Sequence, residues 1–278
     1  MEPIKLISLD LDGTLLDSER RIPMKNHEAI QKARKNGCEI IISTGSPYHL
    51  MPHDELNGLD ISYAITANGS AIYEYRTGKC IYEDSIKTEI ILPILSFLLT
   101  KDMHIDMFIQ GKAYCPSYTR PIVDKLDVPN ARKRYILNNR IWLEDPYTYI
   151  KEQHLFIQKI TMNFYPDEIG GLVDREEVKE ELEKNVFLNV VSGGWSNLEI
   201  TKCGVNKGCA LKRICKMKHI SLESTIAVGD STNDLDIIRT AGVGVAMANS
   251  LPKLLDMADY VTGTNDECGV AEVIERFL

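Results

Sequence analysis

The segment Asp10-Leu11-Asp12-Gly13-Thr14 follows directly on the largely apolar run from Ile4 to Leu9, so two carboxylates stand two residues apart where a buried strand should end. Carboxylates beside a core need a cation or another partner to offset their desolvation. A pair at a strand's carboxyl end suits one shared Mg2+ and can supply a nucleophile. The same five residues also read as a plain strand-to-loop turn, in which Asp and Gly serve backbone geometry. Other parts of the chain must decide between the two.

In an open parallel sheet, ligands bind outside the carboxyl ends of the strands. Those positions carry Asp10 and Asp12 after the first strand, Thr44 and Gly45 after the second, and Asn68-Gly69 after the third. After the fourth comes Gly229-Asp230-Ser231-Thr232-Asn233-Asp234, and Lys207 opens a helix earlier in the same half. This set fits phosphoryl transfer, which needs phosphate charge neutralised and its oxygens held in line with the reacting groups. Asp10 is the expected nucleophile, forming an aspartyl-phosphate, and Asp10 with Asp230 is expected to hold Mg2+. Lys207 supplies a compact positive charge at a helix start. Thr44, Gly45 and the Leu11 amide after Asp10 are candidates for the remaining phosphate oxygens. Asp12 is the expected general acid and base, protonating the leaving alcohol and then activating water.

Strands are expected at Lys5 to Leu9, Glu39 to Ser43, Tyr63 to Thr66, Thr225 to Val228 and Val243 to Ala246. Helices are expected at Met24 to Asn36, from Asn206 to about Lys218, at Asp234 to Ala241, and at the chain's end to Leu278. The alternation predicts an α/β fold with a Rossmann-like parallel sheet. From Asp84 to Thr201 this rhythm fades. Helices at Thr88 to Thr100 and Asp167 to Lys184, with strands at Ile105 to Ile109, Leu155 to Phe164, Val186 to Val191 and Asn197 to Thr201, predict an inserted α+β domain. The expected division is 1–84 with 202–278 for the core and 85–201 for the insertion. Within the insertion, 118–142 yields no assignment, and His104, Tyr114, His154 and Trp195 are read as packing residues before sugar contacts.

A chain of 278 residues, 44% hydrophobic and 26% charged, fits two globular domains. The net charge of −8 leaves no basic excess for nucleic acid or anionic membranes. No charged-then-apolar leader opens the sequence, and the apolar run Ile90 to Leu99 is far below the ~20 residues of a membrane span. The seven cysteines form no C-x-x-C pair, which fits free thiols in a reducing cytoplasm. His49 and His53 stand four apart but are separated by Pro52, against a shared metal.

The ordered motifs resemble the haloacid dehalogenase (HAD) superfamily, in particular its Cof-type sugar-phosphatase-like family. Asp10 to Thr14 is similar to the first motif, Thr44-Gly45 to the second, Gly204-Val205-Asn206-Lys207-Gly208 to the third and Gly229 to Asp234 to the fourth. The likeness continues through Ala241-Gly242, Val245 to Asn249, Ala258-Asp259 and Gly269-Val270-Ala271. It implies an inserted cap of the C2B kind after the third core strand and a Mg2+-dependent phosphatase of sugar phosphates and related small monoesters. It also implies Asp10 as nucleophile and Asp12 as acid/base. The metal ligands would be Asp10, the Asp12 main-chain carbonyl and Asp230; the phosphate binders would be Thr44, Lys207 and Asn233, with Asp234 orienting Lys207 or a metal-bound water. Many relatives carry Arg after the second motif, where this chain has Ser46-Pro47. Three other readings stay open at this point: a phosphomannomutase-like phosphoryl transferase, a receiver-like signalling domain phosphorylated on Asp10, and a catalytically idle binder of phosphorylated metabolites.

Overall fold

Strand β1 (Leu6–Leu9) is buried along its whole length, as an apolar strand covered on both faces should be. The computed structural model describes residues 2–192, 194 and 196–278. The strands that follow are β2 (Glu39–Ser43), β3 (Tyr63–Thr66), β4 (Ala71–Glu74) and β5 (Lys79–Glu83). Next come β6 (His104–Ile109), β7 (Lys112–Pro116), β8 (Ile141–Leu143), β9 (Lys159–Asn163), β10 (Leu188–Val191) and β11 (Asn197–Lys202). The last are β12 (Thr225–Gly229), β13 (Val243–Met247) and β14 (Tyr260–Thr262).

Among the described residues these form an eight-stranded sheet in the order β14-β13-β12-β1-β2-β3-β4-β5 and a six-stranded sheet in the order β10-β11-β9-β6-β7-β8. Contacts divide the chain into two units: Met1–Ser46 with Met51–Tyr82 and Asn206–Leu278, and Pro47–Leu50 with Glu83–Val205. The segment 47–50 groups with the second unit because the His49 amide donates to the Gly111 carbonyl at 2.9 Å and the Tyr135 hydroxyl donates to the Leu50 carbonyl at 3.2 Å.

In the first unit β1 pairs in parallel with both β2 and β12, so the chain leaves β1 in one direction and returns on its other side. That makes the carboxyl ends of β1 and β12 the switch point of an α/β sheet, where a crevice opens for ligands. Two strands beyond the expected three continue the sheet before the second unit begins: β4, antiparallel to β3, and the edge strand β5. The helix Met24–Lys35 stops at Gly37, which has a φ of 84°, and the helix Lys207–Lys218 is capped by the Asn206 side chain accepting from the Cys209 amide at 2.8 Å. Such a cap satisfies one of the amides left orphaned in a first helical turn. No helix among the described residues is long and apolar enough to cross a membrane.

The second unit shows the period of two that a sheet requires. Ile105, Met107 and Ile109 of β6, Ile160 and Met162 of β9, and Leu198 and Ile200 of β11 join one core cluster with Leu95, Leu98, Val178 and Leu182 from two helices. Apart from Phe108 the alternate residues are polar, and the charged ones are paired. Lys159 donates to Glu199 at 2.6 Å, and Arg140 binds both oxygens of buried Asp106, Nε to Oδ1 at 2.5 Å and Nη2 to Oδ2 at 3.1 Å. Burial disfavours the Asp106 charge, but Arg140 outweighs it and holds the carboxyl at about 2.

His104, Asp106 and Cys115 bring potential ligand atoms within 4.8 Å of one another. Arg140 already neutralises Asp106, however, and burial followed by the Asp106 charge pushes the Cys115 thiol well up, keeping it a neutral donor to Asp106 at 3.0 Å. The Arg140 guanidinium thus already compensates the carboxylate charge of the group. Arg140→Met should therefore strand a buried carboxylate and lower the stability of this unit by about 3–5 kcal/mol. Urea unfolding checks this, and adding Asp106→Asn to the variant should restore most of the loss.

Differences from the sequence expectations concentrate in the second unit. The helix expected from Asp167 begins only at Arg175, because 167–173 is spent on a turn in which the Asp167 side chain accepts from the Ile169 and Gly171 amides. The segment without an assignment holds a 3-10 stretch, Ser117–Lys125, and the helix Asn130–Asn138. His104 is fully buried and bonded to Asn163 at 3.1 Å, Tyr114 joins the core cluster, and His154 is exposed in a turn. Trp195 lies outside the described residues.

Candidate active site

All of the site described here is built within the first unit. Asp10 leaves β1 almost fully buried, 6% exposed, and its amide donates to the Val228 carbonyl of β12 at 3.1 Å. Lys207, the first residue of its helix, is 0% exposed. Its Nζ lies 2.8 Å from Asp10 Oδ1 and 2.7 Å from Asp234 Oδ1. A fully buried ammonium persists only when paired. Burial works against its charge, but Asp10 and Asp234 outweigh that and hold the Lys207 pKa above its ordinary value.

Asp234 is bonded through both oxygens. Oδ1 takes Lys207, while Oδ2 accepts from the Asp230 amide at 3.1 Å and the Ser231 amide at 3.0 Å. It thus fixes the ammonium and the loop after β12 at once. Asp230 is held from both sides, by the Thr14 hydroxyl on Oδ1 at 3.0 Å and the Ser231 hydroxyl on Oδ2 at 3.1 Å. Burial and then the Asp234 charge push its carboxyl up to about 6. Burial, with the charges of Asp234 and Asp230, likewise raises Asp10 well above the carboxylate range, against the pull of Lys207. Three carboxylates therefore crowd one ammonium, and their ligand atoms lie within 4.8 Å of one another.

Gly13 makes this approach possible. Its φ is 78°, and a Cβ there would stand 2.6 Å from Asp230 Oδ2, so only glycine fits on both backbone and steric grounds. The loop is then tied down by Asn249 donating to the Gly13 carbonyl at 2.8 Å and Asn265 donating to the Leu16 carbonyl at 2.9 Å.

Thr44 is buried at the end of β2. Its Oγ1 accepts from the Ser46 amide at 3.1 Å, which leaves the hydroxyl proton to be donated elsewhere. Asn68 stands at a φ of 57° and receives Asn233 Nδ2 on its Oδ1 at 3.0 Å. The Asn233 Oδ1 is buried without a hydrogen-bond partner. Gly69, at a φ of 103°, leaves room for the Asn206 carbonyl, which a Cβ would approach to 2.2 Å.

The structure therefore brings Asp10, Lys207, Asp230 and Asp234 together at one point, with Leu11 next to Asp10, Thr44 and Gly45 just after β2, and Asn233 in the 3-10 turn after β12. Asp12 differs. Its carboxylate is 54% exposed and bonded to Arg20 Nη1 at 2.6 Å, because the turn after Leu11 carries it outward. Sequence reasoning missed Thr14 as the clamp on Asp230 and Arg20 as the partner of Asp12. Thr14 was in view as part of the first motif; Arg20 carried no periodic or motif signal.

A family model described as haloacid dehalogenase-like hydrolase matches residues 7–274. Over 288 residues the chain is 33% identical to "Phosphatase YwpJ" of Bacillus subtilis, covering 99% of this chain and 100% of that one. It is 32% identical over 278 residues to "5-amino-6-(5-phospho-D-ribitylamino)uracil phosphatase YcsE" of the same organism, covering 99% and 96%. A solved haloacid dehalogenase-like hydrolase from B. subtilis matches with a TM-score of 0.84 at 30% identity, over 99% of this chain and 100% of that one. With its family model, its relatives and its α/β fold in agreement, the chain belongs to the haloacid dehalogenase-like hydrolases and is a phosphatase of the Cof type.

Proposed function

We propose that this phosphatase hydrolyses a small phosphomonoester, in particular a sugar phosphate or a similar phosphorylated polyol, through an aspartyl-phosphate on Asp10. The observation that carries the reading is the buried Asp10–Lys207–Asp234 group at the β1 and β12 ends. It presents one carboxylate against a fixed ammonium where a sheet of this kind binds ligands. That the relative YcsE is named for a phosphoribityl compound supports a polyol-like leaving group. We further assign the second unit, 83–205, the part of a C2B-type cap that selects the substrate. Cytoplasmic residence, and partners limited to small metabolites, complete the reading.

The residues fit a divalent cation. Asp10 and Asp230 are carboxylates in excess over the one buried ammonium, and a cation is the simplest charge to offset them. Mg2+ suits such a site because it keeps several waters and needs few protein ligands. Asp10, Asp230 and the Asp12 main-chain carbonyl would hold it. When bound it supplies charge neutralisation to the phosphoryl oxygens.

The remaining work belongs to the chain's own groups. Asp10 attacks phosphorus as the bond to the leaving oxygen breaks. Lys207 neutralises the transferring group, the Thr44 hydroxyl donates to one of its oxygens, and the Leu11 amide, the Gly45 backbone and Asn233 hold others. Asp12 gives its proton to the departing alkoxide and then takes one from the water that splits the intermediate.

Incubation with a panel of phosphorylated metabolites and Mg2+ tests this. Release of inorganic phosphate is expected, abolished by chelation. Conversion of a hexose phosphate to its isomer without phosphate release would instead identify a mutase. Mg2+ should also raise the melting temperature, at about 100 times its Kd by the equivalent of about 2.7 kcal/mol. The Asp230 carboxyl is held at about 6, above its unfolded value of about 4. Its protonated form therefore stabilises the metal-free fold at low pH, and that contribution is lost as pH rises through about 6. Since the proton competes with the cation, the Mg2+-induced rise should be larger at pH 7 than at pH 5, which melting curves in Mg2+ and in chelator can measure.

A further inference from the structure

We propose that the open edge of β5, together with the cationic groove beside it, docks a short acidic segment of another protein, which pairs with β5 as a further strand of the sheet. β5 ends the eight-stranded sheet, and among the described residues no strand pairs with its other side. All of its residues except Tyr82 are exposed. Such an edge presents a row of backbone donors and acceptors, and extended peptides add there. Natural edges are blunted by charge, proline or a bulge. The middle of β5 is instead Ile81, 37% exposed.

The groove lies within the first unit, between β4 and β5 on one side and the helix Lys207–Lys218 on the other, with a volume of about 670 Å³. Ile72, Ile81, Tyr82 and Met217 give it an apolar floor. The helix turns Ala210, Leu211, Ile214 and Cys215 to the core, so its opposite face, with Lys212, Arg213 and Lys216, comes to the groove. Among the described residues none of these three cations is ion-paired, and no carboxylate lines the groove. Arg213 lies over the Tyr82 ring at 3.8 Å. That stacking holds the guanidinium beside β5 and leaves the donors at its edge for an anion. In a chain of net charge −8 this is a local reversal of sign.

Charge and spacing select the occupant. Lys212 and Lys216 are about 6 Å apart along the helix axis, close to the roughly 6.6 Å between successive residues on one face of a strand. A segment extended along β5 therefore meets them with acids at alternate positions, and an apolar residue at the next such position covers Ile81 and Met217. Cys209 and His219 both line the groove, so it follows the helix for about 15 Å, and a compact anion would use only part of it. A second copy of this chain is the poorer partner. Antiparallel pairing of β5 with its own counterpart sets both helices on one face of the joined sheet, where their unpaired cations turn toward each other.

The test is fluorescence anisotropy with the labelled peptide Thr-Glu-Thr-Glu-Thr-Leu-Thr, which carries two acids and one apolar residue on a single face when extended. Saturable binding is expected, and it should weaken as salt is raised and the Debye length shortens. Lys212→Glu with Lys216→Glu, both at exposed positions, should weaken it by about tenfold or more, since two attractive pairs become repulsive. The melting temperature and phosphate release from p-nitrophenyl phosphate should stay unchanged in that variant. Binding should also slow hydrogen exchange at the amides of β5. No saturable binding, equal binding by the order Glu-Glu-Leu-Thr-Thr-Thr-Thr, or protection that spares β5 overturns the proposal. Tight binding of inorganic tripolyphosphate in place of the peptide would mark a compact-anion site. A concentration-dependent dimer that is lost in Ile81→Lys would mark a self-association edge. Either result also overturns it.

Discussion

Asp10→Asn should lower phosphate release by roughly 10⁴-fold or more, the scale on which removing a nucleophile acts, while leaving the protein folded. The amide occupies nearly the volume of the carboxylate and keeps an oxygen for Lys207, now 2.8 Å from Asp10 Oδ1. What it loses is the anion that the proposed reaction uses as its nucleophile. Stability should hold or rise, because Asp10 is buried beside two further carboxylates, Asp230 and Asp234, with its carboxyl pushed well above the ordinary range. Replacing it by a neutral group relieves that crowding at neutral pH. Phosphate release and a melting curve on one preparation check both halves. Retained hydrolysis in a folded variant would remove Asp10 from the reaction.

The second large effect is expected at Lys207. Lys207→Met keeps much of the side-chain volume but leaves Asp10 and Asp234, both buried, without their shared cation. Breaking a buried pair from one side costs about 3–5 kcal/mol, or roughly 10 °C in melting temperature for a protein of this size. Turnover should be lost as well, since the proposed reaction uses the Lys207 charge to neutralise the phosphate. The pH dependence separates this from a packing defect. A carboxyl raised in the folded state favours folding when protonated, and that advantage is lost as pH rises through its folded value. Without Lys207 the Asp10 carboxyl rises further, so the deficit against the parent protein should be largest near pH 8 and shrink toward pH 5. A deficit independent of pH would point to lost packing instead.

How far the sequence could be read depends on where each signal was local. β2 and β3 run where their apolar residues placed them, Glu39–Ser43 and Tyr63–Thr66, because each is a short buried run bounded by turn residues. The edge strand β5 gave no such signal, since nearly all of Lys79–Glu83 is exposed and its pattern is that of a loop. The helix Asn130–Asn138 buries only Ile136, which leaves no apolar stripe to detect. In the site, the residues at strand ends were legible because topology alone selects them. The pairings were not. Asn233 to Asn68 and Thr14 to Asp230 join segments 165 and 216 residues apart, and Arg20 to Asp12 is an exposed contact set by turn geometry.

The placement of β1 between β2 and β12 also orders events during synthesis. Asp10 and Lys207 are 197 residues apart, so at about 5–20 residues per second the ribosome takes roughly 10–40 s to deliver the second after the first. Throughout that interval β1 has one hydrogen-bonding edge without its final neighbour. Most of the second unit, the contiguous stretch 83–205, emerges in the meantime and can fold on its own strands. The nascent chain can thus fold most of its second unit before the sheet of its first unit is complete. The buried group of Asp10, Lys207 and Asp234 cannot form until residues beyond 234 have left the ribosome.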